Sequence, residues 1–102
     1  MATKATITVN FNTAIKQADK IKEDADRIRA EKQEMEQMIQ KLGNVWQSDG
    51  ATKYIAKCRM MLEKMAKTAS DLDKVESTIR QAAMNYYKAE VFALEVIKTK
   101  NS

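Results

Sequence analysis

The sequence predicts an all-α chain folded as a helical hairpin, two long antiparallel helices joined by a short turn. Three observations carry this. The 102 residues contain no proline, so nothing forces a break in a helix. The only two glycines, Gly43 and Gly50, lie at mid-chain on either side of the only tryptophan, Trp46. On both sides of that stretch, apolar residues recur at alternating spacings of three and four, the mark of a single helical stripe.

With Phe11 as heptad position a, the first a/d series runs Phe11, Ala14, Ala18, Ile21, Ala25, Ile28, Lys32, Met35, Ile39, Leu42 and Trp46, and only Lys32 is out of character. The spacing predicts a helix over about 12–43, capped by Asn10, Asn12 or Thr13 and stopped by Gly43 and Asn44. Ahead of it, Ile7, Val9 and Phe11 alternate and read as an extended lead-in. A turn over 44–49 follows, and Ser48 or Asp49 is a natural N-cap for a second helix over about 50–97.

The second seam runs from Ala51, Ile55 and Cys58 to Ala93 and Ile97, interrupted by Glu76 and Glu90. Its g positions are largely apolar too: Tyr54, Met61, Val75, Ala82, Ala89 and Val96. Contact between two helices uses only a and d, whereas the wider stripe suits a helix inside a bundle. Helix 2 is therefore expected to face one neighbour in its own chain and one in another. Tyr54, Met61, Met65, Leu72, Val75 and Ile79 are the residues expected at that interchain contact. Residues 1–102 read as a single hairpin domain.

A length argument adds to this. Folding about residue 47 sets residue i opposite roughly 94 − i, so the chain beyond about 83 faces only the lead-in or nothing. That overhang holds Val91, Phe92, Leu94, Val96 and Ile97. Left uncovered, each forfeits roughly 1.5–3 kcal/mol of burial. A lone hairpin of this size also has a poor ratio of volume to surface, so oligomerisation is expected to supply part of the core.

Composition excludes several kinds of chemistry. The chain has no histidine, which removes the commonest metal ligand and the usual general base. Cys58 is the only cysteine, so no disulfide framework or thiolate cluster is expected. No acid–base pair, nucleophile constellation or ligand set for a metal or other cofactor stands out, and an enzyme is the least favoured class. No apolar run is long enough for a cleaved leader or a membrane span. Residues 1–50 carry 8 basic and 8 acidic side chains and residues 51–102 carry 10 and 6, so the net charge of +4 lies wholly in the second half.

The layout resembles the WXG family, small helical hairpins exported by type VII secretion systems and related to the early secreted antigenic target of mycobacteria. The resemblance rests on chain length, on Trp46 at the mid-chain turn, and on Tyr86-Tyr87-Lys88-Ala89-Glu90, which fits the family's Tyr-x-x-x-Asp/Glu export motif as Tyr86 and Glu90. The turn departs from strict Trp-x-Gly: Ser48 stands where glycine is expected, and Gly50 comes four residues after the tryptophan. The resemblance implies a four-helix-bundle dimer with antiparallel hairpins, formed with itself or with a second small hairpin protein. It also implies recognition by the membrane-anchored secretion ATPase, through Trp46, Ser48, Gly50, Tyr86 and Glu90. Secretion without a cleaved leader, a larger secreted effector as a further partner, and a part in virulence or competition between bacteria come with the same resemblance.

Each feature also has a structural reading. Trp46 can plug the end of the bundle, and Tyr86 on the d seam can be a core residue. Glu90 at an a position is costly to bury unpaired, which argues for an exposed end or a basic partner. Lys32 and Glu76 are expected to snorkel or to set register. The six internal methionines serve mainly as gap-filling core, and Cys58 as an inert buried thiol. Lys53, Lys57, Lys64, Lys67, Lys74 and Lys88 form an outer stripe that reads as a solvated face, with nonspecific binding to anions as its functional alternative.

The expected function is a non-enzymatic secreted substrate or co-secreted partner of a type VII system. Two rivals stay open at this stage. One is a cytoplasmic coiled-coil adaptor or chaperone for a larger effector, and the other a small basic protein associated with nucleic acid, binding in a salt-dependent way.

Overall fold

The computed structural model describes residues 3–100 and holds two helices, α1 over Lys4–Val45 and α2 over Asp49–Lys100, with residues 46–48 between them. The fold is the all-α hairpin that the heptads predict.

The lead-in is not extended. α1 starts at Lys4, eight residues before the expected boundary, and Thr3 is its cap: Thr3 Oγ1 accepts the Thr6 amide at 3.1 Å, and the Thr3 carbonyl accepts the Ile7 amide at 3.0 Å. Asn10, Asn12 and Thr13 all lie inside the helix, and the Thr13 hydroxyl bonds back to the Val9 carbonyl at 2.9 Å. The seam explains the difference. Stepping back four residues from Phe11 lands on Ile7, which is 0% exposed, so helix formation buries a large side chain that an extended segment would leave out of register. Tertiary burial here outweighs the weak helix propensity of the β-branched run Thr6-Ile7-Thr8-Val9.

The far end of α1 also runs on, through Gly43 and Asn44 to Val45. No described residue has positive φ, so the helix does not end in a left-handed glycine cap. Trp46 closes its last turn, its amide donating to the Leu42 carbonyl at 2.8 Å. Ser48 then caps α2: its Oγ accepts the Ala51 amide at 3.1 Å, and its carbonyl accepts the Thr52 amide at 3.0 Å. Asp49 in the first turn and Lys98 and Lys100 in the last complement the helix dipole. Ser48→Ala removes the cap and is expected to cost about 1 kcal/mol, read as a lowered denaturant midpoint with an unchanged slope.

By backbone proximity the chain divides into a unit over Lys22–Asp73 and a second formed by the segments before and after it. Within Lys22–Asp73, Ala25, Ile39, Ala51, Leu62 and Ala69 are buried; in the second unit Ile7, Ala18 and Ala83 are. Alanine predominates among these side chains, so each core is thin. The remaining a and d positions are half-buried, apart from exposed Ala93 and Trp46.

The register is shifted from the expected one. Asn10 meets Tyr86, Phe11 meets Tyr87, Asp19 meets Arg80 and Arg29 meets Asp73, pairs whose numbers add to 96–102 rather than 94. With α1 also longer, the expected overhang shrinks: Val91, Leu94 and Ile97 are half-buried within the chain, whereas Phe92 at 68% and Val96 at 36% stay exposed.

Candidate functional site

The two flanks of the interhelical seam differ in chemistry. In the unit over Lys22–Asp73 the e flank is closed by Arg29, which donates to Asp73 across the seam and to Asp26 at 3.2 Å. Lys32, the polar interruption of the first seam, pairs with Glu36 at 2.6 Å. In the second unit Arg80 donates to Glu76 through Nε and to Asp19 through a terminal nitrogen, both at 2.7 Å. Glu76 therefore sits on the second seam with its charge met, and Arg80 ties the two helices together. Hydrogen bonds to these carboxylates hold both arginines further toward the charged form, Asp73 acting most strongly on Arg29 and Asp19 on Arg80.

The g flank is apolar and open. Tyr54 is 53% exposed, Met61 52% and Val75 46%. In the unit over Lys22–Asp73, Met35, Met38, Ile39, Leu42, Tyr54 and Cys58 line a shallow groove with Glu31 and Glu34 on its rim. In the second unit Phe11, Ala14, Ile79, Ala82 and Tyr86 line a similar one. Of the six residues expected at an interchain contact, Met65, Leu72 and Ile79 are half-buried on the seam, while Tyr54, Met61 and Val75 carry the uncovered surface. Cys58 is a free, half-buried thiol at the groove wall.

The expected recognition residues fall in two places. Trp46 is 44% exposed, its ring tilted against Tyr54 with centroids 6.1 Å apart. Ser48 is the cap of α2, and Gly50 lies in its first turn with ordinary backbone, where an added Cβ would come no nearer than 3.9 Å to Ser48 Oγ. Gly50 is thus not required by the turn. Tyr86 is half-buried on the seam, and its hydroxyl accepts from Asn10 Nδ2 at 3.0 Å. Glu90, one helical turn further, is half-buried, and its side chain has no hydrogen bond or ion pair among the described residues.

Sequence reasoning missed two supports of this segment, Asn10 and Tyr87. The Tyr87 ring packs on Phe11 with centroids 5.1 Å apart. Tyr87 occupies the e position that Asp73 and Arg80 also use, and that repeat was the available signal. No described group of three or more acidic or thiol side chains is placed to hold a metal, and no helix among the described residues is long and apolar enough to cross a membrane.

No curated protein and no solved structure matches the chain. The model of the WXG100 family, described as proteins of 100 residues with WXG, matches residues 6–91. The chain therefore belongs to the WXG100 family, whose members are substrates of type VII secretion that pair up.

Proposed function

We propose that the protein is a non-enzymatic type VII secretion substrate, or the co-secreted partner of a larger effector, that leaves the cell as one half of a four-helix dimer. The observation that carries this reading is the asymmetry of the hairpin. Ion pairs close the e flank, whereas Tyr54, Met61 and Val75 leave an apolar row uncovered on the other. Exposed apolar rows of this kind mark association surfaces.

Trp46, Tyr86 and Glu90 act as the export signal, read by the membrane-anchored ATPase. Spacing i, i+4 puts the Tyr86 phenol and the Glu90 carboxylate on one helical face. In an antiparallel dimer the turn of each chain comes beside the late part of the other chain's second helix. Trp46 and the partner's Tyr86 and Glu90 then form a composite signal that exists only after assembly. Ser48 contributes by setting where α2 begins.

The test compares culture supernatants of cells with and without a functional secretion ATPase, with a cytoplasmic protein as lysis control. The chain is expected in the supernatant only when the ATPase is active. Retention in both strains is the outcome of a cytoplasmic adaptor and sinks the secretion reading.

A further inference from the structure

We propose that Asn10 is a positioning residue for the export signal: its side-chain amide fixes the Tyr86 phenol against α1, so that the ring and the Glu90 carboxylate are ordered before the secretion ATPase meets them. This rests on the reading of Tyr86 and Glu90 as that signal.

The start of α1 grips one short stretch of α2 from both sides of the seam. Asn10, at a g position, donates through Nδ2 to the Tyr86 hydroxyl at 3.0 Å. Its neighbour Phe11 packs on the Tyr87 ring on the opposite flank, with centroids 5.1 Å apart and the planes tilted by 52°, a favourable arrangement for two aromatic rings. One turn earlier on α1, Ile7 is 0% exposed and comes level with Glu90 in the register that these two pairs define. All of these residues belong to the unit formed by the two ends of the chain.

The hydroxyls of α1 about level with Glu90 are engaged within their own helix. Thr6 Oγ1 lies 2.9 Å from Thr3 Oγ1, and Thr8 Oγ1 donates to the Lys4 carbonyl at 2.9 Å. The Glu90 side chain has no hydrogen bond or ion pair among the described residues. So α1 holds the tyrosine and leaves the carboxylate open to a receptor.

Asn10 is exposed and Tyr86 half-buried, so their bond competes with water and adds little to stability. Its effect falls on the ring. A tyrosine on a helix has more than one allowed rotamer, and only an arrangement that brings the hydroxyl to Asn10 keeps this bond. Accepting from Asn10 leaves the hydroxyl its own hydrogen to donate, whereas an ionised carboxylate only accepts. A receptor therefore meets a donor and an acceptor one helical turn apart. Ordering a side chain during binding costs affinity, and holding it in the bound arrangement beforehand removes that cost.

A double-mutant cycle on the full chain tests this, with Asn10→Ala, Tyr86→Phe and the two together. Each protein is measured for affinity to the ATPase, for export and for thermal midpoint. Each single change is expected to weaken ATPase binding about threefold to tenfold. The pair should lose no more than either alone, because both changes remove the same bond. A bond that serves only the fold lowers the midpoint and leaves the affinity unchanged, which overturns the positioning role. Weaker binding by Tyr86→Phe but not by Asn10→Ala means that the ATPase reads the hydroxyl without help from α1. Additive losses mean that it touches Asn10 as well. Either result overturns the proposal. Glu90→Ala separates the two levels of the argument. If it loses export while Asn10→Ala binds as the original chain does, the signal stands and only the positioning role falls. If Glu90→Ala and Asn10→Ala both behave as the original chain, the signal assignment falls and the role of Asn10 with it.

Discussion

Glu90→Ala is expected to reduce export to the background of an ATPase-deficient strain, with circular dichroism and thermal midpoint unchanged. The carboxylate has no intrachain partner among the described residues, so its removal breaks no contact that holds the fold. Substitutions at such positions usually fall within about ±0.5 kcal/mol of stability. A lost export signal therefore cannot be traced to unfolding, which makes Glu90 a cleaner probe than Tyr86. Tyr86→Ala is expected to abolish export as well, but it also removes the acceptor of the Asn10 hydrogen bond and part of the seam. Some stability is expected to go with it, which the thermal midpoint will report. Secretion of Glu90→Ala at the level of the original chain removes the export-signal assignment, whatever Tyr86→Ala does.

The double variant Met61→Asp with Val75→Asp is expected to weaken dimerisation by at least a thousandfold. Both side chains are about half exposed in the single chain, so the carboxylates stay solvated there and the hairpin can persist. On pairing, four carboxylates lose their water in an apolar contact, with Lys57 and Lys64 one turn from position 61 as the nearby cations on α2. Burying unpaired charge costs several kcal/mol per ion, and every 1.4 kcal/mol is tenfold in affinity. Sedimentation at several concentrations reads this directly. A dimer also makes the thermal midpoint rise with protein concentration, a dependence the variant should lose. If the variant pairs as tightly as the original chain, the α2 g row is not the interface.

Much of the hairpin was legible because helices bury one stripe at a fixed period. The seam positions of α2 can be counted off the sequence, and nearly all prove buried or half-buried. Ser48 or Asp49 was legible as a cap because either side chain can satisfy an amide that the new helix leaves open, and the structure uses Ser48. The start of α1 was misread because local alternation at Ile7, Val9 and Phe11 competes with the longer period, and only α2 packed alongside decides between them. Gly43 misled in the same way. A glycine marks a helix end only where the backbone turns left-handed, and here it stays helical.

The candidate site was legible as a set of residues and not as an arrangement. Trp46, Tyr86 and Glu90 are singled out by the resemblance to the WXG family, which says nothing of the Asn10 donor on Tyr86 or the Phe11 ring against Tyr87. Those contacts depend on interhelical register, which turn length and packing set together.

By itself, the sequence determined the all-α class, the reversal at Trp46, the buried stripes and the widened apolar row of α2. All of these follow from local periodicity and from the absence of proline. Tertiary structure alone decided the register, the length of α1, and the division of the hairpin into an ion-paired flank and an open apolar one. The reason is that which charged side chains meet across the seam depends on the offset at which the two helices pack. Only at the observed offset does Arg29 reach Asp73, and Arg80 reach Asp19, while Tyr54, Met61 and Val75 are left about half exposed.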